Sequence, residues 1–332
     1  MVGRASAPSK RATVERIVPD GNGAAREIGR ERVSEIQRAR LLGALVEVSA
    51  ERGAGNVAVA HIVERAGVSR RTFYELFADR EACFVAAIDD AMARASHHVL
   101  AAYDPGARWV QRVRSALIAL LELLDSEPGS AQLLIVGSLG AGHDALERRM
   151  RGIAQIIATV DEGRLESKTG AELPPLTAEG IVGGALSVLH SRLLAPGPSL
   201  RELTGALMSM IVLPYLGPTA ARREFVRPMP KRALAHTAPG DPLRDIGMRL
   251  TYRTVRVLTS VAEQPGASNR EIGLGADLED QGQISKLLAR LQRLELIQNT
   301  RAPTARGAPN AWGLTERGWN VQRAIAGEGA RG

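Results

Sequence analysis

The chain has 332 residues, of which 45% are hydrophobic, 24% charged and only 3% aromatic, the composition of a globular protein of two or three domains with a mainly aliphatic core. Cys83 is the single cysteine, which excludes an intramolecular disulfide framework and is typical of a cytoplasmic protein. The opening residues carry charges without an apolar stretch behind them, and no run of about 18 apolar residues follows, so we expect neither a secretory signal nor a membrane span.

The net charge of +7 is unevenly distributed along the chain. Residues 91–225 carry equal numbers of basic and acidic side chains, whereas residues 281–306 hold five basic residues and one acid. Basic flanks around a neutral middle indicate contacts with a polyanion at the two ends, although an ordinary solvated basic surface looks the same.

Composition and periodicity divide the chain into successive segments. Stretches rich in Gly and Pro interrupt a helical pattern of apolar residues, and the start of the chain lacks any such pattern. We expect a disordered basic arm at 1–30, a helical domain at 31–90, a second helical domain at 91–217, a Pro-rich linker at 218–244 and a further compact unit at 245–326.

Residues 57–77 have the pattern of two short helices joined by a tight turn. Gly67 stands where such a turn needs a positive φ, and Ser69 is a favourable N-cap for the second helix. Phe73 and Phe77, four residues apart, mark the buried face of that helix. The early positions of the second helix are therefore exposed, as they are in a helix-turn-helix that enters the major groove of DNA.

The run AGVSRRTFYELF and the DREACF that follows it resemble the tetracycline-repressor (TetR) family of bacterial regulators. The resemblance implies a TetR-like helical fold and DNA binding. Two departures are Ala58, where the family usually has a capping Thr or Ser, and Leu76, where it often has His or Tyr. Cys83 replaces a usual aliphatic residue, which favours buried packing over redox sensing. By position, the family's groove-facing residues fall on Arg70, Arg71, Thr72, Tyr74 and Glu75, and its phosphate-anchoring basic residue on Arg80.

The resemblance implies that the helices of residues 91–217 form an effector pocket and a dimer face. Segments 177–195 and 199–217 look like the dimerising pair, with a stripe of leucines at helical spacing, although an internal core explains the same pattern equally well. The stripe consists of Leu186, Leu189 and Leu193. Tyr103, Trp109 and Arg112 are candidate effector-binding residues, and a helix packed by Trp109 with solvated arginines is the alternative. The spacing of His97 and His98 predicts no metal site.

Residues 245–326 have a second DNA-binding pattern. An amphipathic helix at 246–262, a capping box formed by Ser268 and Glu271, a basic helix in QISKLLARLQRLELI and two strands at 296–300 and 310–315 resemble a MarR-like winged helix. Winged helices also bind proteins, and Glu295 stands where many have Gly. The candidate DNA contacts are Gln283, Ser285, Lys286, Arg290, Arg301 and Arg306.

The predicted fold is mainly α, with TetR-like helical domains and a C-terminal α+β winged helix. The predicted function is ligand-responsive transcriptional control, repression being favoured, by a cytoplasmic homodimer on a palindromic operator, with double-stranded DNA and an unidentified small molecule as partners. No enzyme motif, cofactor site or metal site is expected. The alternative is an adaptor whose winged helix binds a partner protein; the winged helix could also add DNA contacts or mask the first DNA-binding domain.

Overall fold

The computed structural model describes residues 21–137, 142–195, 197–230, 243, 246, 248, 250–301 and 309–326. For residues 21–29 it describes the backbone alone. Ten helices cover its N-terminal and middle parts: α1 Gly21–Arg52, α2 Val59–Ala66, α3 Arg70–Leu76, α4 Arg80–Ala101, α5 Trp109–Ser126, α6 Pro128–Ile135, α7 His143–Asp161, α8 Gly163–Glu166, α9 Thr177–Leu194 and α10 Thr204–Val226. The C-terminal unit has α11 Tyr252–Glu263, α12 Asn269–Gly275, α13 Gln281–Arg293, β1 Ile297–Asn299, β2 Trp312–Leu314 and α14 Glu316–Ala326.

The two strands form an antiparallel sheet in which Ile297 pairs with Leu314 and Asn299 with Trp312. The prediction of a mainly helical chain with a small sheet near its C-terminal end is therefore confirmed. Residues 302–308, which join the strands and include the candidate Arg306, lie outside the described residues.

Helix α1 begins at Gly21, so residues 21–30 are helical where an irregular arm was expected, and residues 1–20 lie outside the described residues. Its apolar side chains contribute to two different cores. Leu41, Leu45 and Val48 pack with α2, α3 and α4, whereas Val33 and Ile36 pack with the C-terminal unit. One continuous helix therefore supports both parts of the chain.

The expected linker at 218–244 begins inside a helix. Gly217 has φ 80° and kinks α10, and Pro218 then starts a further helical stretch that reaches Val226. Proline is tolerated there because the first turn of a helix has no partner for its missing N–H. Glu224 of this stretch pairs with Arg114 of α5 at 3.0 Å, and both side chains are 6% exposed. This buried pair joins residues 218–226 to the middle domain.

By composition and length, Leu200–Val226 would also suit a membrane span, with a mean hydropathy of 1.3. Met208 and Val212 on this stretch are fully buried in the protomer, against α5, α8 and α9. About 33% of the most apolar part of this stretch is buried in the protomer, so packing inside the helical core accounts for part of its apolar character.

Candidate nucleic-acid interface

The turn between α2 and α3 has the geometry that the sequence predicts. Gly67 adopts φ 62° and ψ 34°, and its N–H bonds to the carbonyl oxygens of Val63 and Glu64. Val68 is buried beneath the turn, and the Ser69 hydroxyl accepts a hydrogen bond from the backbone N–H of Thr72 at 3.0 Å. The start of α3 is thus held by a left-handed glycine and a side-chain cap.

Helix α3 separates its buried and exposed side chains sharply. Phe73 is fully buried beneath it. On the outer face, Arg70 is exposed, the Arg71 side chain is 89% exposed and Tyr74 is 58% exposed. Glu75 bonds to Arg71 at 2.9 Å. Two guanidinium groups and a phenol therefore project from a rigid, seven-residue helix, a surface suited to the edges of bases and to phosphate.

Two of the predicted contact residues also hold the domain together. The Thr72 hydroxyl bonds to the Ser69 hydroxyl at 2.8 Å, so it belongs to the cap of α3. Arg80, at the start of α4, donates from Nη1 to the carbonyl oxygen of Val57 at 3.1 Å and lies over the Phe84 ring at 5.5 Å. These contacts fix the loop before α2, and the assignment of Arg80 as a phosphate anchor stays a prediction.

The start of α2 lacks half of its cap. Ala58 occupies the N-cap position with the extended backbone of a capping residue, φ −109° and ψ 154°, but has no side-chain oxygen. Its N–H donates to Nδ1 of His61 at 3.2 Å, which is the returning half of a capping box. His61 is a positioning residue that sequence reasoning missed, because Glu or Gln is the usual signal there.

Cys83 packs in the core under α3 and is fully buried. Burial raises the pKa of its thiol to about 12, against a smaller lowering of that pKa by Arg38. The protonated thiol behaves as a small apolar side chain, in line with the predicted packing role.

In the C-terminal unit, α13 turns its apolar stripe inward. Ile284, Leu288 and Leu291 are fully buried, and Asp280 caps the helix by accepting from the N–H groups of Gly282 and Gln283. The bonds to these two N–H groups lower the pKa of Asp280, the Gln283 bond being the largest cause. The candidate contact residues on the opposite face, all exposed, are Gln283, Ser285, Lys286 and Arg290.

A hydrogen-bond chain connects the sheet to this exposed face. Trp312 Nε1 donates to Oδ1 of Asn269 at 2.6 Å, and Nδ2 of Asn269 donates to the Ser285 hydroxyl at 3.2 Å. Arg253 bonds similarly to Gln283 at 2.8 Å. Asn269 and Arg253 are positioning residues that the sequence did not reveal, because each lies far from α13 along the chain. Arg301 is half-buried and donates to the carbonyl oxygen of Pro309.

The candidate effector residues make contacts within the middle domain. Trp109 is 1% exposed, and its Nε1 donates to the carbonyl oxygen of Thr159 at 3.0 Å. Arg112 donates to the Tyr103 hydroxyl at 2.6 Å and pairs with Glu162 at 2.9 Å. The burial of Trp109 agrees with the packing alternative, whereas Arg112, whose side chain is 21% exposed, is bonded within the domain rather than solvated. The effector assignment stays a prediction. Among the described residues no group of His, Cys, Asp and Glu side chains is placed to hold a metal ion.

The leucine stripe of α9 lies mostly within the protomer. Leu189 is 3% exposed, packed against α5 and α10, so it belongs to the internal core that the sequence left open as an alternative. Other apolar side chains of α9 and α10 are exposed. They include Val188 at 38% and Leu213 at 48%, and, at the helix ends, Leu194, Phe225 and Val226. A shallow groove between α7 and α9, lined by Ile153, Leu186 and other residues, lies on α9 as well.

The model of the tetR family of bacterial regulatory proteins matches residues 41–87, the segment that contains α2 and α3. A search of curated protein sequences found no match. Among solved structures, the fatty acid degradation regulator FadR from Bacillus halodurans is similar with a TM-score of 0.47 and 17% identity, over 53% of this chain and 94% of that one.

A TetR-like transcriptional regulator from Rhodococcus sp. RHA1 gives a TM-score of 0.45 and 21% identity, over 53% of this chain and 94% of that one. A tetR family transcription regulator from Shewanella sp. PV-4 gives a TM-score of 0.43 and 15% identity, over 52% of this chain and 95% of that one. The assignment rests on the family-model match together with the geometry of α2 and α3. Residues 41–87 are therefore a DNA-binding domain of the TetR family.

Proposed function

We propose that the chain is a ligand-responsive transcriptional regulator that binds a palindromic operator as a homodimer, acts in the cytoplasm without catalysis and represses by occupying its site. The observation that carries the proposal is the outer face of α3, where Arg70, Arg71 and Tyr74 are exposed while Phe73 beneath them is fully buried. An arginine that bonds guanine bidentately contributes about 1–3 kcal/mol of discrimination between bases.

The homodimer is supported by the exposed apolar side chains of α9 and α10, Val188 and Leu213. A two-fold dimer presents two copies of α3, and such a dimer requires an operator with two half-sites. The effector would bind in the middle domain, where the sequence analysis places Tyr103, Trp109 and Arg112.

A protein partner for the C-terminal unit is the second candidate. Leu274 on α12 is 73% exposed and Trp319 on α14 is 43% exposed. Large exposed apolar side chains of this kind are common in protein interfaces. In that case the unit resembling a winged helix recruits a protein while α3 alone binds DNA.

The experiment is selection of bound duplexes from a random-sequence library, followed by fluorescence anisotropy with the selected duplex and a scrambled one. The Arg70→Ala/Arg71→Ala variant should lose the preference for the selected duplex and keep its circular dichroism. The matched control is Arg151→Ala/Arg222→Ala, which removes the same charge from exposed positions of the middle domain. Equal preference in the wild type and the Arg70/Arg71 variant would refute the proposal.

A further inference from the structure

The C-terminal unit is docked on the same helix that supports the TetR-type domain. Val33 and Ile36 of α1, which are 5% and 6% exposed, share one apolar cluster with Ile246, Met248 and Leu250. Helices α11 and α14 both pack against α1. An apolar contact of this kind, closed to water on both sides, is a folded interface between the two parts of the chain.

Polar contacts fix the position of the unit along α1. Arg32 Nε donates to the carbonyl oxygen of Ile325 in α14 at 2.9 Å, and Gln37 Nε2 donates to the carbonyl oxygen of Leu250 at 2.9 Å. The Arg30 guanidinium also lies 5.7 Å from the centre of the Tyr252 ring. Because these bonds are directional, they set the register of the unit on the helix as well as holding it there.

The docked chain reaches the turn of the helix-turn-helix. The carbonyl oxygen of Met248 lies 3.9 Å from the position that a Cβ would occupy at Gly67, and Nη2 of Arg40 lies 3.1 Å from the same position. Five residues after Ile36, α1 enters the core beneath α2 and α3 through Leu41. Helix α1 is one continuous helix across this junction.

Docking leaves the basic face of α13 exposed. The unit contacts α1 through α11 and α14, while Lys286 and Arg290 on α13 are exposed. Asn269 holds Ser285 of the same face from below. This exposed face combines positive charge with hydroxyl and amide groups, the chemistry that contacts phosphate and sugar on a DNA duplex.

We infer that the docked C-terminal unit and the TetR-type domain form one preset DNA-binding platform, in which α13 grips the duplex that flanks the operator half-site read by α3. The inference rests on the proposed function. It differs from two DNA-binding domains on a flexible tether. The interface on α1, rather than the residues between Pro230 and Leu243, sets where α13 contacts the duplex.

The test compares two duplexes, the selected operator alone and the same operator extended by 20 base pairs on each side. On the extended duplex, Lys286→Ala/Arg290→Ala should reduce the slope of log affinity against log salt by about 0.9 for each lost phosphate contact. The double variant removes two such contacts from each C-terminal unit, which at 0.15 M salt corresponds to a loss of about 30-fold in DNA affinity for each unit. The operator alone should show little change, and Arg151→Ala/Arg222→Ala should leave both duplexes unaffected.

Three further variants separate docking from tethering. Ile36→Asp places a charge in the interface and should lower affinity for the extended duplex by about as much as Lys286→Ala/Arg290→Ala. If that variant fails to fold by circular dichroism, Arg32→Ala/Gln37→Ala removes the polar contacts without burying a charge. Insertion of about 20 Gly and Ser residues between Ala235 and His236 should leave affinity unchanged, because the interface and not the tether positions α13.

Each contrary result overturns the inference in a recognisable way. An unchanged salt slope in Lys286→Ala/Arg290→Ala would mean that α13 does not touch DNA. Tighter binding by Ile36→Asp would mean that docking masks α3, and weaker binding after the insertion would mean that a tether sets the geometry. Failure of the proposed function appears elsewhere, as binding of the operator alone that does not depend on Arg70 and Arg71.

Discussion

Replacing Ala58 by serine should stabilise the protein, because the structure holds this position ready for a cap. Ala58 already has the extended backbone of an N-cap, and its N–H already donates to His61 Nδ1 at 3.2 Å. A serine hydroxyl would accept from the backbone N–H of His61 and so complete the reciprocal pair. The gain is about 1 kcal/mol, the typical difference between serine and alanine at an N-cap.

The expected rise in melting temperature follows from what unfolds together with α2. Its core includes Leu133 of α6 and Ala145 of α7, and α1 also packs on the C-terminal unit, so α2 melts with a unit of more than about 150 residues. For a unit of that size, 1 kcal/mol corresponds to about 2–4 °C. Differential scanning calorimetry of Ala58→Ser should show this shift, and Ala60→Ser, the same change inside the helix, should not.

The effect on DNA binding separates capping from phosphate contact. Ala58→Asp should stabilise α2 as well as serine does, since aspartate is an equally good N-cap and suits the positive end of the helix. On DNA, however, its carboxylate would repel phosphate, so affinity should fall while the melting temperature rises. A melting temperature that stays constant in Ala58→Ser, or rises equally in Ala60→Ser, would refute the capping argument.

Three further predictions concern other side chains of the helical domains. In the wild type, Glu75 pairs with Arg71 at 2.9 Å, and Glu75→Gln removes this ion pair. Operator affinity should therefore increase in anisotropy titrations, while the free energy of unfolding falls by no more than about 0.5 kcal/mol. Weaker binding would show that Glu75 itself reads a base. Leu213→Asp should convert dimers into folded monomers in light scattering, because Leu213 is 48% exposed, and dimers that persist would place the interface elsewhere. Cys83, whose pKa burial raises to about 12, should resist iodoacetamide at pH 8 until the protein unfolds, and rapid labelling of the native protein would contradict its buried position.

Local patterns predicted the turns and helix caps of the helix-turn-helix and of the C-terminal unit well. The tight turn at Gly67, the cap at Ser69 and the capping box of Ser268 with Glu271 all have the expected geometry. Each is a short-range feature whose backbone conformation depends on residues within about four positions. The sequence also placed Arg70 on the outer face of α3, because burial of Phe73 fixes the opposite face.

Long-range contacts were not predictable in the same way. Val33 and Ile36 are apolar at helical spacing, which any neighbouring core would satisfy, so nothing in the sequence paired them with the C-terminal unit. The pattern of residues 246–262 predicted one helix, yet α11 begins at Tyr252. Ile246, Met248 and Leu250 share an apolar cluster with Val33 and Ile36 of α1. Burial against α1, rather than helical periodicity, explains why these residues are apolar.

Two single residues show the limits of position-based reasoning. Glu295, which stands where many winged helices have Gly, adopts φ 57°, the left-handed conformation that favours Gly, so α13 ends there despite the side chain. Pro218 suggested a linker, whereas the kink at Gly217 turns it into the first residue of a helical stretch. At Pro218 the geometry of the preceding residue, rather than the residue type, decides the structure.

The central claim, that Arg70 and Arg71 on α3 read the operator, is tested most directly by methylation protection at guanine N7. The wild type should protect guanines in two symmetry-related half-sites, because bidentate arginine occupies N7 and O6 in the major groove. Arg70→Ala/Arg71→Ala, held on the same duplex at low salt, should leave those guanines reactive. An identical protection pattern in the wild type and the double variant would contradict the claim.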